Sequence, residues 1–575
     1  MEITELSSLG ADDELAVDLV IVGAGPVGLT IAAQCAAPGR SILVLESGLN
    51  DQTPEHEALN QVDWPGGTSG DGLAERRAER HGTPDALWTP QVQPFGVRCR
   101  GLGGSTQAWA GKSAAFAPID FAARPWVANS GWPIDPGELQ PYQDRALELL
   151  DLCPGEPPVR FSGEGLQSFY WQFARSRVDR LDVMRFGRDL ARTSTAKVRV
   201  LLDATVTNVG LAPEGDRFTG LSVAGIDGKR ARITARCCVL AAGAIENPRL
   251  LLASNDVRPE GIGNGRDQVG RHLIDHVVAR LGRFGAAGFA PIERLFGFYG
   301  LPYGGRTHLF SHGLELTPEA QRDEGLLRGA VFFTPEHAPD DPLDALKRLL
   351  RLSSPAVWTD LRSVVAGSGL VAKAIGMRLL HSPKTPAVLK DLVINTAIRR
   401  GPSMVVDQYL SHGAPHKLVG LSVDGICEQV PDPDRRITLS SRRDRFGVPL
   451  PEVAWSVGEA ERRTMLRLGE LTEAALVAEG LPAPKMAALD DPDLPILDFG
   501  HTMGTTRMAH DPREGVVDTD CRVHGVSGLY IAGGSVFPTG GHANPTLMFL
   551  AMAMRLAEHL NGVLMGREEG LPPTG

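Results

Sequence analysis

Cysteine is scarce in this chain of 575 residues: there are seven, an odd number, with no CxxC pair. A disulfide scaffold is excluded on that count, and buried reduced thiols are expected, Cys237 and Cys238 among them. Lysine is scarce too, at 9 of the 58 basic residues, the rest being arginine. Positive charge is in deficit, with 69 acidic residues and a net charge of −11. The basic footprint of a nucleic-acid binder is therefore missing. The opening stretch, MEITELSSLGADDELAVD, has no basic segment followed by an apolar one, so a secretory signal is not expected. One uncharged run, 19–39, is long enough to cross a bilayer. Gly23, Gly25, Pro26 and Gly28 break its first half, which suits strand–turn–helix better than a spanning helix. With neither signal nor transmembrane segment, a cytoplasmic protein is expected.

What is present is globular composition, 42% hydrophobic and 22% charged. Residues 17–22 (VDLVIV) form a short β-branched run, as in a buried parallel strand. Gly23-Ala24-Gly25-Pro26-Val27-Gly28 follows, then a small-residue helix, then a second buried strand at 41–45 that ends at Glu46. In this βαβ unit Gly23 permits the tight turn, Gly25 admits a pyrophosphate, and Gly28 lets the helix pack closely. The helix N-terminus offers free N–H groups to phosphates, and Glu46 can accept from ribose hydroxyls. The motif predicts a dinucleotide and leaves NAD or FAD open.

Further along, 50–95 is turn-rich and expected to run over the surface or along a ligand. The loop RCRGLGGSTQAW (98–109) offers bare backbone at Gly103 and Gly104. A helix is expected after Pro141, strands at 196–210 and 216–224, and strand–turn–helix at 231–254. The segments 343–352 and 370–382 are amphipathic and basic on one side. They are expected to cover a substrate domain, with a membrane surface or partner as the alternative. Residues 424–456 alternate like an antiparallel meander. The C-terminal part carries HTMGTTRMAHDP, the strand LYIAGGS, and a helix signalled by Asn544 before Pro545. Leu547, Leu550, Met554 and Leu556 give that helix a buried face. No cluster has metal-ligand spacing, and there is no GxSxG elbow.

Taken in order, the glycine fingerprint, LGGST, SGWPI with PYQ, CVLAAGAIENPRLLLAS, GRHLIDH and the HxxGT…NPT ending resemble the glucose–methanol–choline (GMC) family of FAD-dependent oxidoreductases. The resemblance covers nearly the whole chain and looks like the bacterial sugar- and polyol-oxidising branch. It implies an α/β fold: a Rossmann-like FAD-binding domain plus an α+β substrate domain with an antiparallel sheet and covering helices. The FAD-binding domain would comprise 1–115, 196–283 and 490–575, and the substrate-binding domain 116–195 and 284–489.

By the same resemblance, Gly23, Gly25, Gly28 and Glu46 would hold the ADP half of FAD. Gly103, Gly104 and Ser105 would line its pyrophosphate and ribityl side, and Val206 would meet the adenine. Ala242 and Gly243 end a strand near the ligand. Gly533, Gly534 and Ser535 would approach the ribityl chain, and Asn544, Pro545 and Thr546 the isoalloxazine. The family's catalytic His opens HxxGT and its partner lies 43 positions on, which here gives His501 and Asn544. An imidazole titrates near ~6.5 and can take an alcohol proton. His542 is expected beside this pair and outside proton transfer, and His272, His276, His510 and His524 receive no role. Some relatives attach flavin to a His before a Trp; here Ala108 precedes Trp109 and Gln107 is no nucleophile, so FAD is expected to be non-covalent.

The resemblance thus implies oxidation of an alcohol to a ketone or aldehyde by hydride transfer to flavin N5. A pyranose, glycoside or cyclitol is the first substrate class, and oxygen or a quinone-type compound the acceptor. A bulky apolar alcohol such as a sterol, or hydroxynitrile cleavage, are the alternatives. A homo-oligomer is left open.

Overall fold

The computed structural model describes all residues except 11–13, 65–92, 179–183, 185, 194–196, 287, 339, 381, 383, 402–415, 492 and 567–575. Most of the turn-rich excursion expected at 50–95 therefore lies outside the described residues. The β-branched run forms the strand Glu14–Val22, with its last four residues buried. The glycine turn, the helix Pro26–Cys35 and the buried strand Ile42–Leu45 follow. They sit in a sheet of order Glu2–Glu5, Arg199–Leu202, Ile42–Leu45, Glu14–Val22, Arg230–Leu240, Phe218–Ala224, Thr205–Leu211, with Leu529–Ile531 also paired to Arg230–Leu240. The first five strands and Leu529–Ile531 pair in parallel, the remaining two antiparallel. The register aligns Val22, Leu45, Leu240 and Ile531 in one row. Distant stretches of chain thus end together along one sheet edge, where open α/β sheets bind ligands.

The helix Thr546–Leu564 buries Leu547, Leu550, Met554 and Leu556 and packs against Pro26–Cys35 and Pro136–Leu150. Among the described residues it alone is long and apolar enough to cross a membrane, and 67% of it is buried within the fold. An all-round apolar helix covered in this way is a core element.

A second, antiparallel sheet runs Lys485–Met486, Val277–Phe284, Leu418–Cys427, Gly329–His337, Arg306–Leu316, Leu166–Phe173, Lys112–Ser113. The helix Glu459–Ala478 lies on it and contributes Met465, Leu468, Leu471 and Leu476 to a separate core. Each such side chain stabilises the packing by about 1.5–3 kcal/mol. The chain crosses between sheets near Asp275 and His276.

Three local expectations change. The strand expected at 196–210 breaks at Asp203, which has φ of 51°. Its carboxylate accepts from the Ile226 N–H at 3.0 Å and bonds His56 Nε2 at 3.0 Å, which fixes the kink. The helix expected after Pro141 begins at Pro136. Asp135 caps it by accepting from the Gly137 N–H at 2.7 Å, and Pro136 suits the first turn. The meander expected at 424–456 is divided. Leu418–Cys427 inserts between Val277–Phe284 and Gly329–His337, and only Arg436–Arg443 and Pro449–Ala454 form a hairpin. Alternation marks a strand there but cannot say which distant strand it joins.

Candidate active site

A cavity of about 1550 Å³ runs from the strand ends of the parallel sheet to the antiparallel sheet. That exceeds the roughly 300–1000 Å³ of a drug-sized site and leaves room for a dinucleotide and a small substrate. Gly23, Gly25, Glu46, Gly104, Ser105, Val206, Ala242, Gly243, Gly533, Gly534, Pro545 and Thr546 line it, together with His501 and Asn544.

Two glycines of the fingerprint do different work. A Cβ on Gly28 would stand 2.0 Å from the Gly23 carbonyl oxygen, so that glycine brings the helix against the turn. A Cβ on Gly25 would meet nothing within 4 Å, because its bare face opens on the cavity. An open cradle at a helix N-terminus fits the pyrophosphate of a dinucleotide.

Gly28, Gly103 and Ser535 stand behind the lining. The Gly103 N–H donates to the Ala24 carbonyl at 2.8 Å and ties the second glycine loop to the first. Ser535 Oγ accepts from Asn247 Nδ2 at 2.9 Å, while Asn247 Oδ1 accepts from the Ala242 N–H at 2.9 Å. Asn247, to which the sequence reading gave no role, thus joins two strand ends.

Glu46 is more committed than a ribose acceptor needs to be. Its Oε2 accepts from the Ala24 N–H at 2.9 Å, and its Oε1 from Gly48 at 2.9 Å and Gly101 at 3.0 Å. Burial raises its carboxyl above the usual range, against the pull of these N–H groups and of Arg100. Next to it lies a charged group that the sequence did not signal. Glu246 meets Arg98 at 2.6 Å, Arg249 at 3.0 Å and Arg100 at 3.1 Å, and all four residues line the cavity. Burial alone would raise Glu246; Arg249, Arg100 and Arg98 overcome it and hold the carboxyl at about 2. Arg249 also meets Asp444 at 2.6 Å, so these guanidinium groups are held by carboxylates along this stretch of the cavity wall.

At the other end stands a chain of three side chains. Asn544 Nδ2 lies 3.1 Å from His501 Nε2, and His501 Nδ1 lies 2.9 Å from His276 Nδ1. His276 Nε2 lies 3.1 Å from the Gly540 carbonyl oxygen. A carbonyl only accepts, so His276 carries its proton on Nε2. Burial, partly opposed by that carbonyl, holds His276 down to about 4, so its ring is neutral near pH 7 and Nδ1 is an acceptor. His501 must then donate from Nδ1, which leaves a lone pair on Nε2. Asp275 secures the same loop: its Oδ1 accepts from the backbone N–H of Phe499 at 3.1 Å and of His501 at 2.9 Å. The sequence reading missed Asp275 and His276; their only trace there is the end of GRHLIDH.

His542 does not line the cavity. It is buried against Phe169, ring centres 4.7 Å apart, and burial first and Arg328 second hold it well below the usual range. From His501 an aromatic path leads to the second sheet, through Phe499 at 5.0 Å and Phe332 a further 6.4 Å on. The Lys112 ammonium stands 4.3 Å over the Phe332 ring, a cation–π contact. Away from the cavity, Asp341, Asp344 and His416 bring ligand-type atoms within 4.8 Å of one another. Asp341 Oδ1 already accepts from the N–H groups of Leu343 and Asp344 as a helix cap.

The parallel sheet, the open glycine cradle and the histidine–asparagine pair at the far end of one cavity fit an enzyme that would hold a dinucleotide beside a small substrate. Models of the GMC oxidoreductase family match residues 188–278 and 431–553. The fructose dehydrogenase large subunit of Gluconobacter japonicus is 25% identical over 95% of this chain and 98% of its own length. Paromamine 6'-oxidase of Streptomyces fradiae is 24% identical over 97% and 93%. The crystal structure of pyridoxine 4-oxidase from Mesorbium loti superposes with a TM-score of 0.51 at 17% identity, covering 94% of this chain and 99% of that one. The chain thus matches the GMC oxidoreductase family in two separate segments. It is an FAD-dependent enzyme that oxidises an alcohol CH–OH group to a carbonyl.

Proposed function

We propose that the alcohol is a hydroxyl of a sugar, glycoside or cyclitol, and that His501 is the base that receives its proton. The observation that carries the substrate class is the cavity wall on the antiparallel sheet, where Lys112, Arg280, Asp424 and Glu336 accompany the rings of Phe332 and Phe499. Charged hydrogen-bonding groups beside aromatic faces suit a polyhydroxylated ring, which offers many hydroxyls to the first and C–H faces to the second, better than a sterol, which offers one hydroxyl. Full-length relatives named for fructose and paromamine support the same class.

In this reading Gly23, Gly25 and Glu46 hold the ADP half of FAD and Val206 meets the adenine. Gly104, Ser105, Ala242, Gly243, Gly533 and Gly534 follow the pyrophosphate and ribityl chain, and Pro545 and Thr546 abut the ring. Gly28, Gly103 and Ser535 support the loops from behind. When bound, FAD supplies the acceptor, N5, for the carbinol hydrogen as hydride. His501 Nε2 takes the hydroxyl proton, and Asn544 Nδ2, 3.1 Å from it, orients the alcohol oxygen. His276 is a positioning residue: by accepting from Nδ1 it keeps the lone pair of His501 on Nε2. With Ala108 before Trp109, FAD is held without a covalent bond. Reoxidation falls to oxygen or a quinone-type acceptor. In the same reading the parallel sheet and its C-terminal helix form the FAD-binding domain and the antiparallel sheet the substrate domain. Lys112–Ser113, Val277–Phe284 and Ile496–Asp498 pair in the second sheet, so the bounds expected at 115, 283 and 490 shift to before Lys112, before Val277 and after Asp498. All seven cysteines are buried thiols, which supports a reducing, cytoplasmic setting.

The test is an anaerobic screen of sugars, glycosides, polyols and a sterol, followed by loss of the oxidised-flavin absorbance. Bleaching by a polyhydroxylated ring and not by the sterol is expected. The reverse would sink the substrate class, and no bleaching by any alcohol would sink the redox reading.

A further inference from the structure

The chemistry above makes no use of the helical layer formed by Pro342–Leu350, Val357–Ala366, Ser368–Leu380 and Ala387–Arg400. Of the fifteen exposed large hydrophobic side chains among the described residues, eleven lie between Leu350 and Leu392. Their concentration in one segment is the anomaly, since scattered apolar side chains are ordinary on any surface.

The helix Val357–Ala366 is inverted. Its buried residue is Asp360, paired with Arg348 at 2.6 Å. Trp358, Leu361 and Val365, spaced i, i+3, i+7, share the outer face, and Trp358 is 83% exposed. Leu352, just before it, is 94% exposed. The helix Ala387–Arg400 is apolar on two faces. Ile394 and Ile398 pack on Phe173 and Leu309, while Val388, Leu389 and Leu392 face outwards. A helix that has already buried one apolar face has no need of a second unless something covers it.

Charge selects the cover. Residues 343–400 hold ten basic and three acidic residues, whereas the rest of the chain holds 48 basic and 66 acidic. Two copies meeting through this face would bring like charges together. A surface that combines an apolar interior with anionic headgroups would satisfy both features, and exposed tryptophan and leucine ringed by arginine and lysine is the pattern of an interfacial helix.

We propose that 342–400 is a docking surface for a lipid bilayer with anionic headgroups. Leu352, Trp358, Leu361 and Val365 enter the boundary between headgroups and acyl chains, and Arg351 and Arg362 contact the headgroups. The protein lies on the membrane and does not span it.

The test floats FAD-loaded enzyme with vesicles of phosphatidylcholine alone and of phosphatidylcholine mixed with phosphatidylglycerol, at low and high salt. Wild type is expected to float with the mixed vesicles, less with phosphatidylcholine alone, and less again at high salt. The double variant Leu352→Glu, Trp358→Glu is expected to lose about tenfold or more in vesicle affinity while oxidising a soluble substrate at the wild-type rate. Wild type that stays unbound with both vesicle types overturns the proposal, and so does binding that the double variant leaves unchanged. A wild-type dimer in light scattering that the double variant converts to monomer also overturns it, since a second copy then covers the patch.

Discussion

His276 and His542 are both buried, and burial holds both below the ordinary imidazole range, yet they sit in opposite surroundings. His276 has an acceptor on one nitrogen, the Gly540 carbonyl, and His501 on the other. His542 has neither ring nitrogen in a hydrogen bond; Glu315 stands 3.6 Å away, and its ring packs on Phe169. In sequence His542 is the near neighbour of Asn544, whereas His276 is 225 positions from His501, with which it shares a hydrogen bond. What a buried histidine can do depends on what its two nitrogens face, and closeness along the chain is no guide to that.

The comparison breaks most visibly at the proposed base. His501→Ala is expected to slow anaerobic flavin reduction by ~10²–10⁴-fold, the usual worth of a general base, with the flavin spectrum retained. Rapid-mixing absorbance of the FAD-loaded variant checks this. His276→Leu comes next. It removes the acceptor for His501 Nδ1–H and leaves a buried donor unsatisfied, a penalty of ~1–3 kcal/mol. Reduction is expected to slow by about tenfold to a hundredfold in kcat with little change in KM, and His276→Asn, which can still accept, is expected to recover part of the loss. A purely structural role would move FAD content and melting temperature instead.

Acid sharpens the same contrast. His272 and His276 are both held at about 4, against ~6.5 when unfolded. Between those values the unfolded chain binds protons that the folded chain refuses, so stability falls as pH drops from ~6.5 towards 4 and levels off below. Thermal melts across that window are expected to show a falling Tm, less steeply in His276→Leu. The smallest effect belongs to His542→Phe, which keeps the ring packing and drops a histidine that touches no reacting group. Its flavin reduction is expected to stay within about threefold of wild type, since neither ring nitrogen of His542 gives up a hydrogen bond.

The sequence was most informative where function rests on local geometry. Gly25 and Gly28 act within one turn and helix, so their spacing alone separates the glycine that faces the cavity from the one that faces the turn. The offset from His501 to Asn544 led to two residues 3.1 Å apart. What stayed hidden depends on strand order. Glu246 gathers Arg98 and Arg100 only because Arg230–Leu240 lies beside Glu14–Val22. Asp275 and His276 reach His501 only because Ile274 bridges Met503. Pairing between distant segments leaves no periodic mark on either, which is also why Leu418–Cys427 was legible as a strand but not as the neighbour of Val277–Phe284.

The claim on which the mechanism rests is a tautomer: His501 carries its proton on Nδ1 and offers Nε2 as the base. Nitrogen-15 NMR of the FAD-loaded enzyme near neutral pH, with histidine labelled in the ring and the His501 signals assigned by loss in His501→Ala, reads this directly. A protonated Nδ1 and an unprotonated Nε2, with the order disturbed in His276→Leu, is the predicted result. A proton on Nε2 with a bare Nδ1, or a tautomer indifferent to His276, would contradict the account.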